Sequence, residues 1–332
     1  MKTWTSVWLA TIILLTASPA VWAQQQSICV YDPAGRTGFA FGWLEAWQIA
    51  ASGWGVDIEL KPYTDEETAV NDFDAGACNG LAATGIRLQK YNRAAYTVEA
   101  LAGIPDYELL KRILVTLQTA DNYRSMFTSG DYQTVGIYPL GAVYTFVRNS
   151  EISDTNSMAG KRIAAMEYDQ TSLLVVDRIG GVTVPVNLSN LSSTFNNGAV
   201  DVAFAPASAY QPFELWHGLN NGGAIVRYPL LQVTMQIVVK NAAFGNEFGA
   251  QSRHFVAGQF DTAMRTVTSA EEAIPDHYWI EMGDVESFER LMQRLRIDLR
   301  DKGSYHASVL SLLRKARCNT DASRWECAAE LE

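Results

Sequence analysis

The chain holds only four histidines, His217, His254, His277 and His306, and none stands at metal-ligand spacing from another, so neither a metal site nor a cofactor site is read from them. Gly-x-Ser-x-Gly, His-Glu-x-x-His, Gly-Lys-Ser/Thr and a Gly-x-Gly-x-x-Gly after the first strand are all missing. Hydrolase, metalloprotease, P-loop and dinucleotide chemistry therefore have no anchor, and the chain reads as a non-enzyme. Basic residues are short: 26 Lys+Arg face 36 Asp+Glu, for a net charge of −10, which argues against nucleic acid or an anionic membrane as partner. A few local arginines could still serve an anionic ligand. No tandem repeat, low-complexity tract or charge block occurs. Long apolar runs are lacking too: Val7 to Ala17 is the best, and Gln24-Gln25-Gln26 follows too soon for a comfortable membrane span.

That run, preceded by Lys2 and followed by Val21-Trp22-Ala23, has the form of a signal peptide over residues 1–23. Its removal makes the chain one unit more negative and implies a periplasmic protein without direct membrane insertion. Four cysteines, Cys29, Cys78, Cys318 and Cys327, would then meet an oxidising compartment. Three pairings are open to them, and sequential pairing is expected. What remains after cleavage is longer than one core usually serves, so two lobes are expected.

Strand and helix signals alternate. Ser27–Tyr31, Val56–Leu60 and Ala77–Thr84 read as strands around helices at Phe39–Ala51 and Thr64–Asp74, the second with a capping box from Thr64 to Glu67. A helix over Pro105–Gln118 precedes the β-rich run Thr134–Arg148, broken by Pro139 and Gly141. A second alternation follows: strands at Arg162–Met166, Val182–Val186 and Val200–Ala205, helices at Thr171–Ile179, Leu188–Phe195 and Tyr210–Trp216. Ala224–Val226 and Val233–Lys240 read as two further strands, and the chain from Asn246 onward is helical. The β-α-β-α-β order implies parallel pairing with right-handed crossovers in each unit. The fold class is α/β, with discontinuous lobes joined by crossing strands. Residues 24–142 plus 232–260 form one lobe, residues 143–231 the other, and residues 261–332 a helical region packing across both.

Three stretches carry a resemblance. They are Ser157-Met158-Ala159-Gly160-Lys161-Arg162-Ile163, then Gly180-Gly181-Val182-Thr183-Val184-Pro185-Val186, then Gly198-Ala199-Val200-Asp201 running to Pro206. In that order they resemble the substrate-binding proteins of tripartite ATP-independent periplasmic (TRAP) transporters. The first half adds Gly53-Trp54-Gly55-Val56-Asp57-Ile58-Glu59 and Phe73-Asp74-Ala75-Gly76-Ala77-Cys78-Asn79-Gly80. More narrowly, the chain is similar to a proteobacterial AdeT-like family of solute-binding proteins, sometimes labelled as accessory to resistance-nodulation-division (RND) efflux systems. The resemblance implies a two-lobed periplasmic binding protein fold that captures a small polar solute for a membrane permease. A periplasmic accessory or sensor-input protein, including an efflux-associated subunit, is the alternative. Two positions depart from the pattern. Ala164 stands where the transporter receptors close the strand with a carboxylate-clamping arginine, with Arg162 two residues earlier, and Ala205 replaces an asparagine before the closing proline.

In such folds ligands sit beyond the carboxyl ends of strands. Tyr31, Asp32 and Arg36 follow the first strand, and Arg36 can offer a guanidinium to an anion beside a helix N-terminus. Thr84 and Arg87 follow the third. On the crossing run Tyr138, Tyr144 and Arg148 are candidates, Arg148 also by resemblance to a second ligand-facing arginine. Beyond Arg162 the loop Glu167, Tyr168, Asp169 and Gln170 carries two acids that would repel a carboxylate and suit an amine or a polyol.

Overall fold

The computed structural model describes residues 25–245 and 247–332, so the signal segment expected over 1–23 lies outside the described residues. The first unit runs β1 (Gln26–Tyr31), α1 (Phe39–Gly53), β2 (Ile58–Tyr63), α2 (Glu66–Asp74) and β3 (Gly80–Thr84). Short helices α3 (Gly85–Leu88) and α4 (Arg93–Tyr96) lead to α5 (Tyr107–Thr119), β4 (Thr128–Ser129) and the long β5 (Tyr132–Val147). The second unit is β6 (Arg162–Met166), α6 (Gln170–Ile179), β7 (Val182–Val186), α7 (Leu191–Asn196) and β8 (Val202–Pro206). After α8 (Trp216–Leu219) the long β9 (Ala224–Lys240) returns. The chain finishes with α9 (Phe248–Gly258), α10 (Phe260–Glu272), β10 (Trp279–Ile280), α11 (Val285–Asp301) and α12 (Ala307–Thr320). Among the described residues no helix is long and apolar enough to cross a membrane.

One sheet runs β2-β1-β3-β9-β5-β8-β6-β7. Strands are parallel inside each unit, as right-handed crossovers through helices demand, and antiparallel where β3 meets β9 and β5 meets β8. Both units place the first strand between the second and third, so one plan is used twice. The paired strands β5 and β9 run through both lobes. Their register shifts between Pro139 and Gly141, and again between Val143 and Thr145. At the shift after Pro139, Gly141 has φ +106°, where a side chain would be strained.

Two expectations change here. Ala224–Val226 and Val233–Lys240 are one strand, because residues 227–230 lie between the partners of Thr145 and Val143 without pairing to β5, and Pro229 there has no ladder bond to lose. Tyr210–Trp216 does not become a helix: Pro212 lacks an amide donor, Glu214 turns to φ 51°, and helix resumes only at Trp216.

The cysteines pair sequentially. Cys29–Cys78 ties β1 to the loop before β3 with Cα atoms 5.8 Å apart, and Cys318–Cys327 closes the segment after α12 at 5.6 Å. Helices α11 and α12 back the molecule, α11 against α6 and α12 against α5 and residues 97–99. Their buried guanidiniums reach one segment: Arg296 donates to the Leu101 carbonyl at 2.7 Å and Arg317 to that of Gly103 at 2.8 Å. Glu326 and Glu332, both buried, complete the cluster, with Arg296 2.6 Å from Glu332 and Arg317 2.7 Å from Glu326.

Candidate functional site

Parallel strands of both units point their carboxyl ends at one crevice, and a cavity of about 210 Å³ lies there. Tyr31 and Asp32 enter from the end of β1, Thr84 from β3 and Ile86 from α3, Tyr168 and Asp169 from the loop after β6, and Ala205 and Pro206 from β8. The floor is the crossing pair, with Leu140 and Val143 from β5 and Leu231, Val233 and Met235 from β9. Aromatic walls come from Phe39, Phe204 and Phe213. The surface is overwhelmingly apolar.

Its polar groups are hydroxyls and three carboxylates, and each carboxylate is already held. Asp32, 1% exposed, accepts from the amides of Ala34, Ala40 and Phe41 at 2.9, 3.0 and 3.1 Å, closing the N-terminus of α1. Asp169 does the same for α6, accepting from Thr171 and Ser172 at 2.9 and 2.8 Å. Burial lifts the Asp169 carboxyl above its ordinary range despite those amides. Glu99, on the segment between α4 and α5, accepts from the Thr234 amide at 2.8 Å and from its hydroxyl. Burial, helped by the neighbouring Asp169 and Glu66, pushes Glu99 up to about 8 against those hydrogen bonds. Gly85 makes room for it, since a Cβ there would stand 2.1 Å from Glu99 Oε1.

Two contacts cross the crevice. Arg87 lies over the Tyr168 ring, its Cζ 3.4 Å from the centroid, while Nε sits 3.5 Å from the buried Glu66. Glu66 in turn accepts from the Thr84 amide at 2.8 Å, and its burial raises its carboxyl in spite of Arg87. Deeper in, the hydroxyls of Tyr96 and Thr171 share a hydrogen bond of 3.2 Å.

Of the residues singled out from sequence, Tyr31, Asp32, Thr84, Tyr168 and Asp169 line the cavity and Arg87 stands at its edge against Tyr168. The others are placed elsewhere, each for a visible reason. Arg36 is exposed with Cζ 5.5 Å over Phe41, because Asp32 already fills the helix N-terminus it was expected to flank. Tyr138 is 1% exposed and stacks on Trp43 at 5.3 Å. Tyr144 turns to the opposite face and donates to Glu271 at 2.9 Å. Arg148 donates to the carbonyls of Phe195 and Asn196 at 2.8 and 3.1 Å, fastening the end of α7. Arg162 begins β6, the end away from the crevice, and pairs with Asp201 at 2.6 Å. Glu167 accepts from Asn187 at 3.3 Å on the surface, and Gln170 is the exposed first residue of α6. Sequence reasoning passed over Glu99, Tyr96, Leu140 and Val143. Glu99 had a signal, as the lone charge between Ala94 and Pro105.

Comparison with known proteins agrees with this architecture. The family described as "Solute-binding protein AdeT 1/2" matches residues 45–332. "Probable solute-binding protein AdeT1" of Acinetobacter baumannii is 32% identical over 301 residues, which is 90% of this chain and 99% of that protein. A TRAP periplasmic solute binding protein from Desulfovibrio salexigens, solved with bound orotic acid, superposes with TM-score 0.69 at 12% identity, covering 89% of this chain and 99% of its own. One from Ralstonia eutropha, solved with (S)-2-acetolactate, gives 0.67 at 14%, with the same coverage. Identities this low speak to fold alone, and the fold is the two-lobed one of those receptors.

Proposed function

Since the chain belongs to the AdeT 1/2 solute-binding protein family, we propose that it is a periplasmic receptor that closes two lobes on a small solute and delivers it to a membrane permease. The observation that carries this is the cavity at the meeting carboxyl ends of two parallel strand sets, spanned by the Arg87–Tyr168 and Tyr96–Thr171 contacts. The moving bodies are residues 24–142 plus 232–260 and residues 143–231, hinged where β5 and β9 shift register. Two disulfides and the leader-like residues 1–23 support the compartment. The receptor binds without converting its cargo: the cavity carboxylates serve as helix caps or partners of Thr234 rather than as an acid and base pair.

The apolar lining favours a solute with an apolar body over a sugar acid. A thermal-shift screen tests the reading, because a solute at 100 times its Kd stabilises the folded chain by about 2.7 kcal/mol. A hit must also compact the molecule in small-angle scattering. Stabilisation without compaction would sink lobe closure, and no hit across carboxylates, alcohols and amines would sink the receptor.

A further inference from the structure

We propose that the solute is a compact organic ammonium ion, its apolar body filling the cavity and its nitrogen set between Glu99 and Asp169. The inference rests on the receptor reading above and adds the sign and size of the cargo.

Sign comes first. Among the described residues lining the cavity there is no lysine, arginine or histidine, while Asp32, Glu99 and Asp169 are all present. Arg87, at the edge, is committed to Glu66 and Tyr168. An anionic solute would ordinarily take the amides at a helix N-terminus. The N-termini of α1 and α6, which face this cavity, are filled by Asp32 and Asp169 of the chain itself. A carboxylate would enter an apolar cavity that holds three carboxyl groups and no basic side chain.

Glu99 and Asp169 come from opposite sides of the crevice, so closure buries two carboxyls near each other. The groups acting on Glu99 are Asp169 from the second lobe and Glu66 from α2, both raising it, with Thr234 of β9 lowering it. Tyr96 and Tyr305 stand close to the same acids as neutral phenols. With no cation inside, the empty cavity keeps Glu99 protonated; an ammonium nitrogen supplies the missing charge and lets it ionise. Aromatic faces at Tyr31, Phe39 and Phe204 suit the flank of such a cation.

Size follows from volume. Benzene fills an apolar cavity of about 150 Å³, so about 210 Å³ holds one ring and a short aminoalkyl arm.

Three nearly isosteric probes decide: 2-phenylethylammonium, 2-phenylethanol and phenylacetate, titrated calorimetrically into the purified chain near pH 7 in buffers of different ionisation enthalpy. The ammonium ion should bind most tightly and release up to about one proton as Glu99 ionises. Glu99→Gln keeps an acceptor for Thr234; it should weaken the ammonium ion by roughly tenfold or more, abolish the proton release and spare the alcohol. Phenylacetate binding tightest, or the alcohol matching the ammonium ion, would overturn the proposal and leave the receptor reading standing. Undiminished ammonium binding by a folded Glu99→Gln variant would overturn it too. Failure of all three probes, and of smaller alkylammonium ions and carboxylates, would take down both readings together.

Discussion

Inside the cavity wall Glu99 stays protonated up to about pH 8 in the folded chain, against an ordinary glutamate value of 4.5. Between those values the unfolded chain binds fewer protons than the folded one, so stability falls as pH rises through the window, by up to about 1.4 kcal/mol per unit for this group. Glu99→Gln should therefore melt close to the parent near pH 4 and above it near pH 8. A melting-temperature difference that stays flat across that range would contradict the protonated state. At this scale the sequence was half legible. Asp169 follows from the rule that sites gather at strand ends, whereas Glu99 sits between elements, and its partner Thr234 is 135 residues away. The arginines misled, because a guanidinium in a sequence looks like a ligand clamp. Arg148 here spends its donors on the carbonyls of Phe195 and Asn196, and Arg162 pairs with Asp201.

The elements themselves were readable where periodicity is strong. Both β-α-β-α-β units and α5 emerge from spacing alone, as does the helical character of the chain beyond Asn246. Caps shift by a residue: Asp65 rather than Thr64 accepts from the Thr68 amide, because its carboxylate reaches that donor at 2.8 Å. The break in β9 looked like two strands because an unpaired Pro229 reads as an end, and only the partner strand shows otherwise. Cooperation among elements was invisible, and the α11–α12 cluster is the clearest case. Burial alone would raise the Glu326 carboxyl, but Arg317 and Arg296 outweigh it and hold it at about 2. Its stabilisation is thus present above the unfolded value of 4.5 and lost as pH falls toward 2. Glu326→Gln leaves two buried guanidiniums short of charge and should cost about 3–5 kcal/mol in urea denaturation near pH 7. A loss below 1 kcal/mol would mean the cluster tolerates its vacancy.

For the whole molecule, the stack of Arg87 on Tyr168 is one contact that opening must break, Tyr96–Thr171 being another. Desolvated cation–π contacts contribute up to about 2 kcal/mol, enough to set the balance of open and closed forms. Tyr168→Ala removes the ring yet leaves Glu66 its arginine. The solute-free variant should show a larger radius of gyration than the parent with little change in melting temperature. An unchanged radius would show that Tyr96–Thr171 and the crossing strands hold the lobes without it. Overall architecture was the most legible scale, since alternation and length both pointed to two lobes on shared strands.

Residues 97–104 carry Glu99 into the cavity, yet their outer carbonyls are gripped by Arg296 and Arg317, which Glu326 and Glu332 hold in turn. A ribosome making this chain releases every strand of the crevice long before those four residues. The wall that carries Glu99 is thus completed by side chains 195 and 214 positions downstream of the carbonyls they hold.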